Sequence, residues 1–152
     1  MRIRFHGWQF HIGLTHSQEM IGVNSNLVNG KHFIMWDFDG HDVDKVIPAL
    51  NMIQKAYTLP TIYILNTGTW YHYHAYCFHS VSWTKLVTIL LNTPMLDKGF
   101  LQIGFLRGYY TLRISPKNEK YVRLAYTLES TVTETVDKMS IPRVIKYWTK
   151  RV

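Results

Sequence analysis
The stretch HFIMWDFDG, residues 32–40, constrains this chain more than any other. Phe33, Ile34, Met35 and Trp36 form a short apolar run that passes directly into Asp37, Phe38, Asp39 and the turn former Gly40. A short apolar run bounded by a turn signal reads as a central, buried strand. Strand side chains alternate between two faces, so Asp37 and Asp39 share one, roughly 6–7 Å apart at their Cα atoms. The chain must therefore fold so that a buried strand delivers two carboxylates to one place. A second stretch, ILNTGTWYHYHAYCF at 64–78, repeats the spacing with His72 and His74.

Elsewhere the hydrophobic period sets the elements. Residues 1–14 read as one or two short strands, and 22–31 as turn-rich. Val43, Val46, Ile47, Leu50, Ile53 and Tyr57 recur in steps of three and four, which predicts an amphipathic helix from Asp42 to Tyr57. Asp42 and Asp44 suit its N-terminal dipole, and Pro48 falls in or just beyond its first turn. TIYILNTG and WYHYHAYCF are strands joined at Thr67 and Gly68. Residues 80–93 form a second helix capped by Ser80 or Ser82. Residues 99–114 read as a hairpin turning near Arg107 and Gly108, YVRLAYTL as a strand, and the basic tail as partly helical. With no repeat and no linker, residues 1–152 are expected to be one domain. The expected class is α+β, a sheet with two helices packed on one face and extra hairpin strands.

Charge narrows the chemistry. Seventeen Lys and Arg against ten Asp and Glu give a net charge of +7, which favours an anionic partner. A single cysteine, Cys77, excludes an internal disulfide and a cysteine-based zinc site; it is expected to be a buried, inert thiol. No run approaches the roughly 18 apolar residues of a membrane span, and the N-terminus lacks a signal core, so a cytoplasmic location is expected. Two carboxylates one residue apart can share divalent cations, and Mg²⁺ typically takes one or two carboxylates plus substrate phosphates. The same pair at a strand end can also be a solvated turn. His72 and His74 can ligate a metal or donate to phosphate, or can be ordinary strand histidines. The turn at Thr67 and Gly68 lets backbone N–H groups approach a phosphate. In LRISPKNEK, 112–120, Arg113 ends a strand and Lys117 follows a proline turn, placing cations for a triphosphate or a template backbone. Arg107, Arg143, Lys146 and Lys150 are further candidates for holding nucleic acid. Trp70, Tyr109 and Tyr110 can stack on bases, or belong to the core as strand residues.

Taken together, WDFD, the helix after it, NTGTWYHYH and LRISPKN resemble the archaeo-eukaryotic primase superfamily, which includes primase-polymerases of plasmids and viruses. The resemblance runs from about residue 30 to 118. NTGTWYHYH is similar to that family's Ser-Gly-x-Gly-x-His region, and LRISPKN to its Leu-Arg-x-Pro stretch. The resemblance implies an RRM-like, primase-like sheet and a template-dependent nucleotidyltransferase. Such an enzyme makes or extends primers on single-stranded DNA or RNA from nucleoside triphosphates, using Mg²⁺ or Mn²⁺. It implies Asp37 and Asp39 as catalytic metal ligands and Asp97, in MLDKGF, as the third carboxylate. Thr67, Gly68 and His72 or His74 would meet the nucleotide, with Arg113 and Lys117 on phosphate or template. A helicase or other replication protein would be a partner, in a prokaryotic, viral or plasmid setting. Thr67 stands where the family has Ser, and Thr69-Trp70 supplies no second Gly. A competing resemblance is to rolling-circle replication initiators: HYHAYCF for their His-hydrophobic-His motif and YWTK for Tyr-x-x-Lys. It would make His72 and His74 metal ligands and Tyr147 the nucleophile, but leaves Asp37, Asp39 and Thr67-Gly68 unused. A non-catalytic nucleic-acid-binding module is the third reading.

Overall fold
A computed structural model describes residues 2–5, 8–11, 17–137, 140–141 and 145–150. Strands β1 (Arg2–Phe5) and β2 (Trp8–His11) pair as an antiparallel ribbon. Then come β3 (Ser17–Asn24), β4 (His32–Asp39), α1 (Val43–Tyr57), β5 (Ile62–Asn66) and β6 (His72–Val81). After them lie α2 (Trp83–Leu91), α3 (Lys98–Arg107), β7 (Thr111–Arg113), β8 (Arg123–Leu128) and β9 (Ile145–Lys150). A four-stranded antiparallel sheet has the order β4-β6-β5-β8, and a three-stranded one β7-β3-β9. The architecture is the expected α+β.

The apolar run is β4, and Phe33, Ile34, Met35, Trp36 and Phe38 are all fully buried. β4 is not central, however. It lies at the edge of its sheet, with β6 its one partner strand among the described residues. Its outer edge is closed by loops: the Phe33 N–H donates to the Ser25 carbonyl (2.9 Å) and the Asp97 N–H to the Asp37 carbonyl (2.9 Å). Those loops hide an edge that would otherwise expose unpaired backbone groups. On the core side, the Trp36 indole donates to the Thr93 hydroxyl just past α2 (3.0 Å).

α1 starts where its cap predicts. The Asp42 side chain accepts from the Asp44 N–H, and Thr58 ends the helix in the left-handed conformation. Pro48 lies on the exposed side, where water can serve the carbonyl that loses its ladder donor. Val46, Leu50 and Ile53 of α1 and Leu86, Ile89 and Leu90 of α2 enter one core with β4, β5 and β6. Ser82, not Ser80, caps α2.

Three further segments depart from expectation. Residues 98–107 are helix α3, not the first arm of a hairpin. Asp97 caps it by accepting from the Phe100 N–H (2.6 Å), and Gly108 at φ 75° closes it. The segment hides its period because Leu101, Ile103, Phe105 and Leu106 spread apolar groups round the helix. Gly104 lies under the Tyr110 ring, where a Cβ would come within 2.0 Å. In the tail, read as partly helical, Ile145–Lys150 form strand β9, which pairs with β3 from Ser17↔Lys150 to Gly22↔Ile145. β3 itself occupies part of the segment read as turn-rich. Cys77 is fully buried, and burial pushes its thiol up to about 12, the inert form expected. No helix among the described residues is long and apolar enough to cross a membrane.

Candidate active site
The antiparallel register of β4 and β6 sets Asp37 opposite His74 and Asp39 opposite His72. Two pairs, each alternating along its own strand, therefore meet as a square of four side chains on one face of the sheet. His72 Nδ1 lies 2.6 Å from Asp39 Oδ1, so the ring proton is held on Nδ1 facing the carboxylate. His74 Nε2 lies 3.7 Å from Asp37 Oδ1. Both strands end at a turn here, and the turns are tied together: the N–H groups of Gly40 and His41 both donate to the Tyr71 carbonyl.

Burial separates the two acids. Asp39 is exposed, whereas Asp37 is mostly buried. Desolvation, then Asp39 and Asp97, raise Asp37 from its ordinary 3.8 to about 7, with Arg113 opposing. His74 is lowered to about 3, first by burial and then by the Arg113 and His72 charges, so it is neutral at pH 7. A neutral imidazole cannot balance the carboxylate beside it.

A polar pocket of about 490 Å³ opens over this square. Asp37, Asp39, Thr67, His72, His74, Arg113 and Lys117 all line it, together with Thr69, Asn118 and Lys120. The three added residues were not singled out from sequence. Lys120 arrives because Asn118 and Glu119, both at positive φ, make a tight turn that bridges Lys117 to Lys120. Asn at the first of those positions is the one signal for such a turn. The Arg113 guanidinium donates to the Thr67 carbonyl (3.1 Å) and to the Ser115 carbonyl, fixing the end of β7 against the 67–71 loop.

Gly68 is held by the loop's own hydrogen bonds. Its N–H donates to Asn66 Oδ1 (2.7 Å), and that of Thr67 to the His72 carbonyl (3.2 Å). Gly68 has φ 86°, and a Cβ there would meet Lys120 side chain and backbone at 2.6–3.0 Å. Glycine is needed because the loop packs directly on the lysine turn.

Asp97 and Arg107 border a separate cavity of about 530 Å³ along α3, which shares Asp37 with the first. Asp97 is beside Asp37 through its backbone hydrogen bond, while one of its carboxylate oxygens caps α3. Tyr110 is core; Trp70 is 85% exposed. Lys146 pairs with Glu19 at 2.9 Å on the three-stranded sheet, where Lys150 lies opposite Ser17. Tyr147 is opposite Met20 on that same sheet, not on the sheet that carries the histidines. Arg143 lies outside the described residues.

Oxygen donors, crowded carboxylates and nearby cations fit a hard divalent ion accompanied by phosphates. Among the described residues, no three His, Cys, Asp or Glu side chains converge as a closed metal cluster. Mg²⁺ characteristically binds through one or two carboxylates plus substrate oxygens, so the donor set fits such an ion.

A family model described as AEP-like, archaeo-eukaryotic primase 1D-like, matches residues 5–126. No curated protein and no solved structure matches the chain.

Proposed function
The chain belongs to the archaeo-eukaryotic primase-like family, and from that premise we propose that it is a template-dependent nucleotidyltransferase acting on single-stranded nucleic acid. One observation carries the reading. Asp37 and Asp39 share a pocket with Arg113, Lys117 and Lys120, which is an acid cluster facing a cation cluster across a space of nucleotide size.

In this reading Asp37 and Asp39 hold the divalent ion, with Asp97 approaching from the α3 side. Bound Mg²⁺ or Mn²⁺ would supply Lewis-acid stabilisation of the phosphoryl oxygens and activation of the attacking 3′-hydroxyl. His72 orients Asp39 through the 2.6 Å contact, as outer-shell partners orient metal-binding carboxylates. His74, neutral and buried, lies beside Asp37 across the β4–β6 ladder. Arg113, Lys117 and Lys120 neutralise the triphosphate and its leaving group. Residues 1–152 act as one catalytic unit, with single-stranded template and nucleoside triphosphates as partners and a helicase or other replication protein as a further one. The edge position of β4 serves this chemistry by letting Asp97 reach Asp37 from outside the sheet.

The test is nucleotide incorporation on primed and unprimed single-stranded templates, with Mg²⁺ or Mn²⁺. Metal-dependent extension by the wild type that is lost in Asp37→Asn and Asp39→Asn is the expected result. Extension that persists in the double variant would refute it.

A further inference from the structure
Trp70 stands out from the site it adjoins. It is 85% exposed, on a loop whose backbone is held firmly. Asn66 holds the loop at two points, its side chain accepting from Gly68 N–H and donating to the Thr69 carbonyl. Tyr71, at φ 63°, carries backbone strain and anchors the N–H groups of Gly40 and His41. A large apolar ring projected by a restrained loop loses little freedom when it binds.

The loop is a wall between two concavities. On one side is the polar pocket, lined by Thr67, Thr69 and His72. On the other is a shallow concavity of about 270 Å³, formed by Asn66, Gly68, Thr69, Trp70 and Tyr73. Cations border the wall: Lys120 packs on Gly68, and Arg123 pairs with Asn66 across β8 and β5. Tyr121, exposed, lies between those two cations in the chain. Glu119 is the one acid in that turn. An exposed aromatic ring beside cations that track a backbone is the arrangement that stacks unpaired bases.

We infer that Trp70 is a stacking platform for an unpaired base of single-stranded nucleic acid, held in the concavity with Tyr73, with Arg123 on a flanking phosphate. The inference rests on the proposed handling of a single strand but not on catalysis.

The experiment is equilibrium binding of a labelled oligothymidylate, and of an abasic strand of equal length, without metal or triphosphate. Trp70→Ala should weaken oligothymidylate binding about tenfold or more, and Trp70→Phe much less. The salt slope should be unchanged in both, because an indole releases no counterions. Arg123→Ala should flatten the slope, by about 0.7. Wild type and Trp70→Ala should bind the abasic strand equally. Equal binding of oligothymidylate by Trp70→Ala and wild type, with native melting, overturns the inference and leaves Trp70 to another kind of partner. So does an equal loss on the abasic strand. Base-dependent loss in a wild type that incorporates nothing sinks the proposed catalysis and keeps the platform. Active wild type with indifferent Trp70→Ala does the reverse.

Discussion

Asp39 and His72 face each other across the β4–β6 ladder, Oδ1 to Nδ1 at 2.6 Å, although 33 residues separate them in the chain. In the proposed reading Asp39 offers oxygen to a cation and His72 holds that oxygen in place. The contact is half exposed, so its value lies in orientation rather than in stability.

His72→Ala should therefore spare the fold and impair metal use. Loss of an outer-shell partner typically costs about 10–100-fold in metal affinity or activity. The Mn²⁺ concentration for half-maximal incorporation should rise by that order, with melting temperature within a degree or two of wild type. Unchanged metal dependence would remove His72 from the positioning role.

Asp37 makes stability depend on pH. Its folded value of about 7 exceeds its ordinary 3.8 because of burial, Asp39 and Asp97. Between those values the native state holds a proton that the unfolded chain has lost. Stability from this group is complete below about 4 and declines as pH rises through 7. Asp37→Asn cannot ionise. It should melt above wild type at pH 8 in chelator, by on the order of several degrees, and show no advantage near pH 4. Thermal melts across that range decide it.

His74 works in the opposite direction. Held neutral to about 3 in the folded state, chiefly by burial, it opposes protonation that the unfolded chain accepts below about 6.5. Its contribution is present above 6.5 and lost as pH falls toward 3. His74→Gln should be less acid-sensitive than wild type between pH 6 and 4. Denaturant melts at both pH values measure the difference.

Gly68→Ala should damage site and fold together. A left-handed φ and contact with the Lys120 backbone both exclude a Cβ. The expected destabilisation is about 1–3 kcal/mol. Displacement of the lysine turn should also raise KM for the triphosphate. A variant with wild-type stability and KM would show that the turn tolerates separation from the loop.

Gly104→Ala tests α3. Its Cβ would enter the Tyr110 ring, so chemical denaturation should report a loss of about 1–3 kcal/mol even though alanine favours helix. A stabilised variant would mean that the helix shifts freely against Tyr110.

Local periods in the sequence determined much of the outcome. Alternation with period two placed Asp37 with Asp39 and His72 with His74, each pair on one face, because successive strand side chains point to opposite sides. The 3.6-residue recurrence and an Asp cap determined α1. Gly68 and the proline before Lys117 marked turns. The tertiary structure alone decided which pair met which. Alternation selects a face but no partner, and a register shift of one residue would have put the histidines on the far side of the sheet. It also decided that β4 lies at an edge, so that the loop before α3 can bring Asp97 to Asp37. Residues 98–107 became helix through a cap, a left-handed glycine and packing on Tyr110, none of which appears in hydrophobic period. The basic tail became β9 because β3 offered it a partner more than a hundred residues away. Lys120 reached the pocket for a similar reason. Its place is set by contact with Gly68, and a contact between distant positions leaves no periodic trace in the chain.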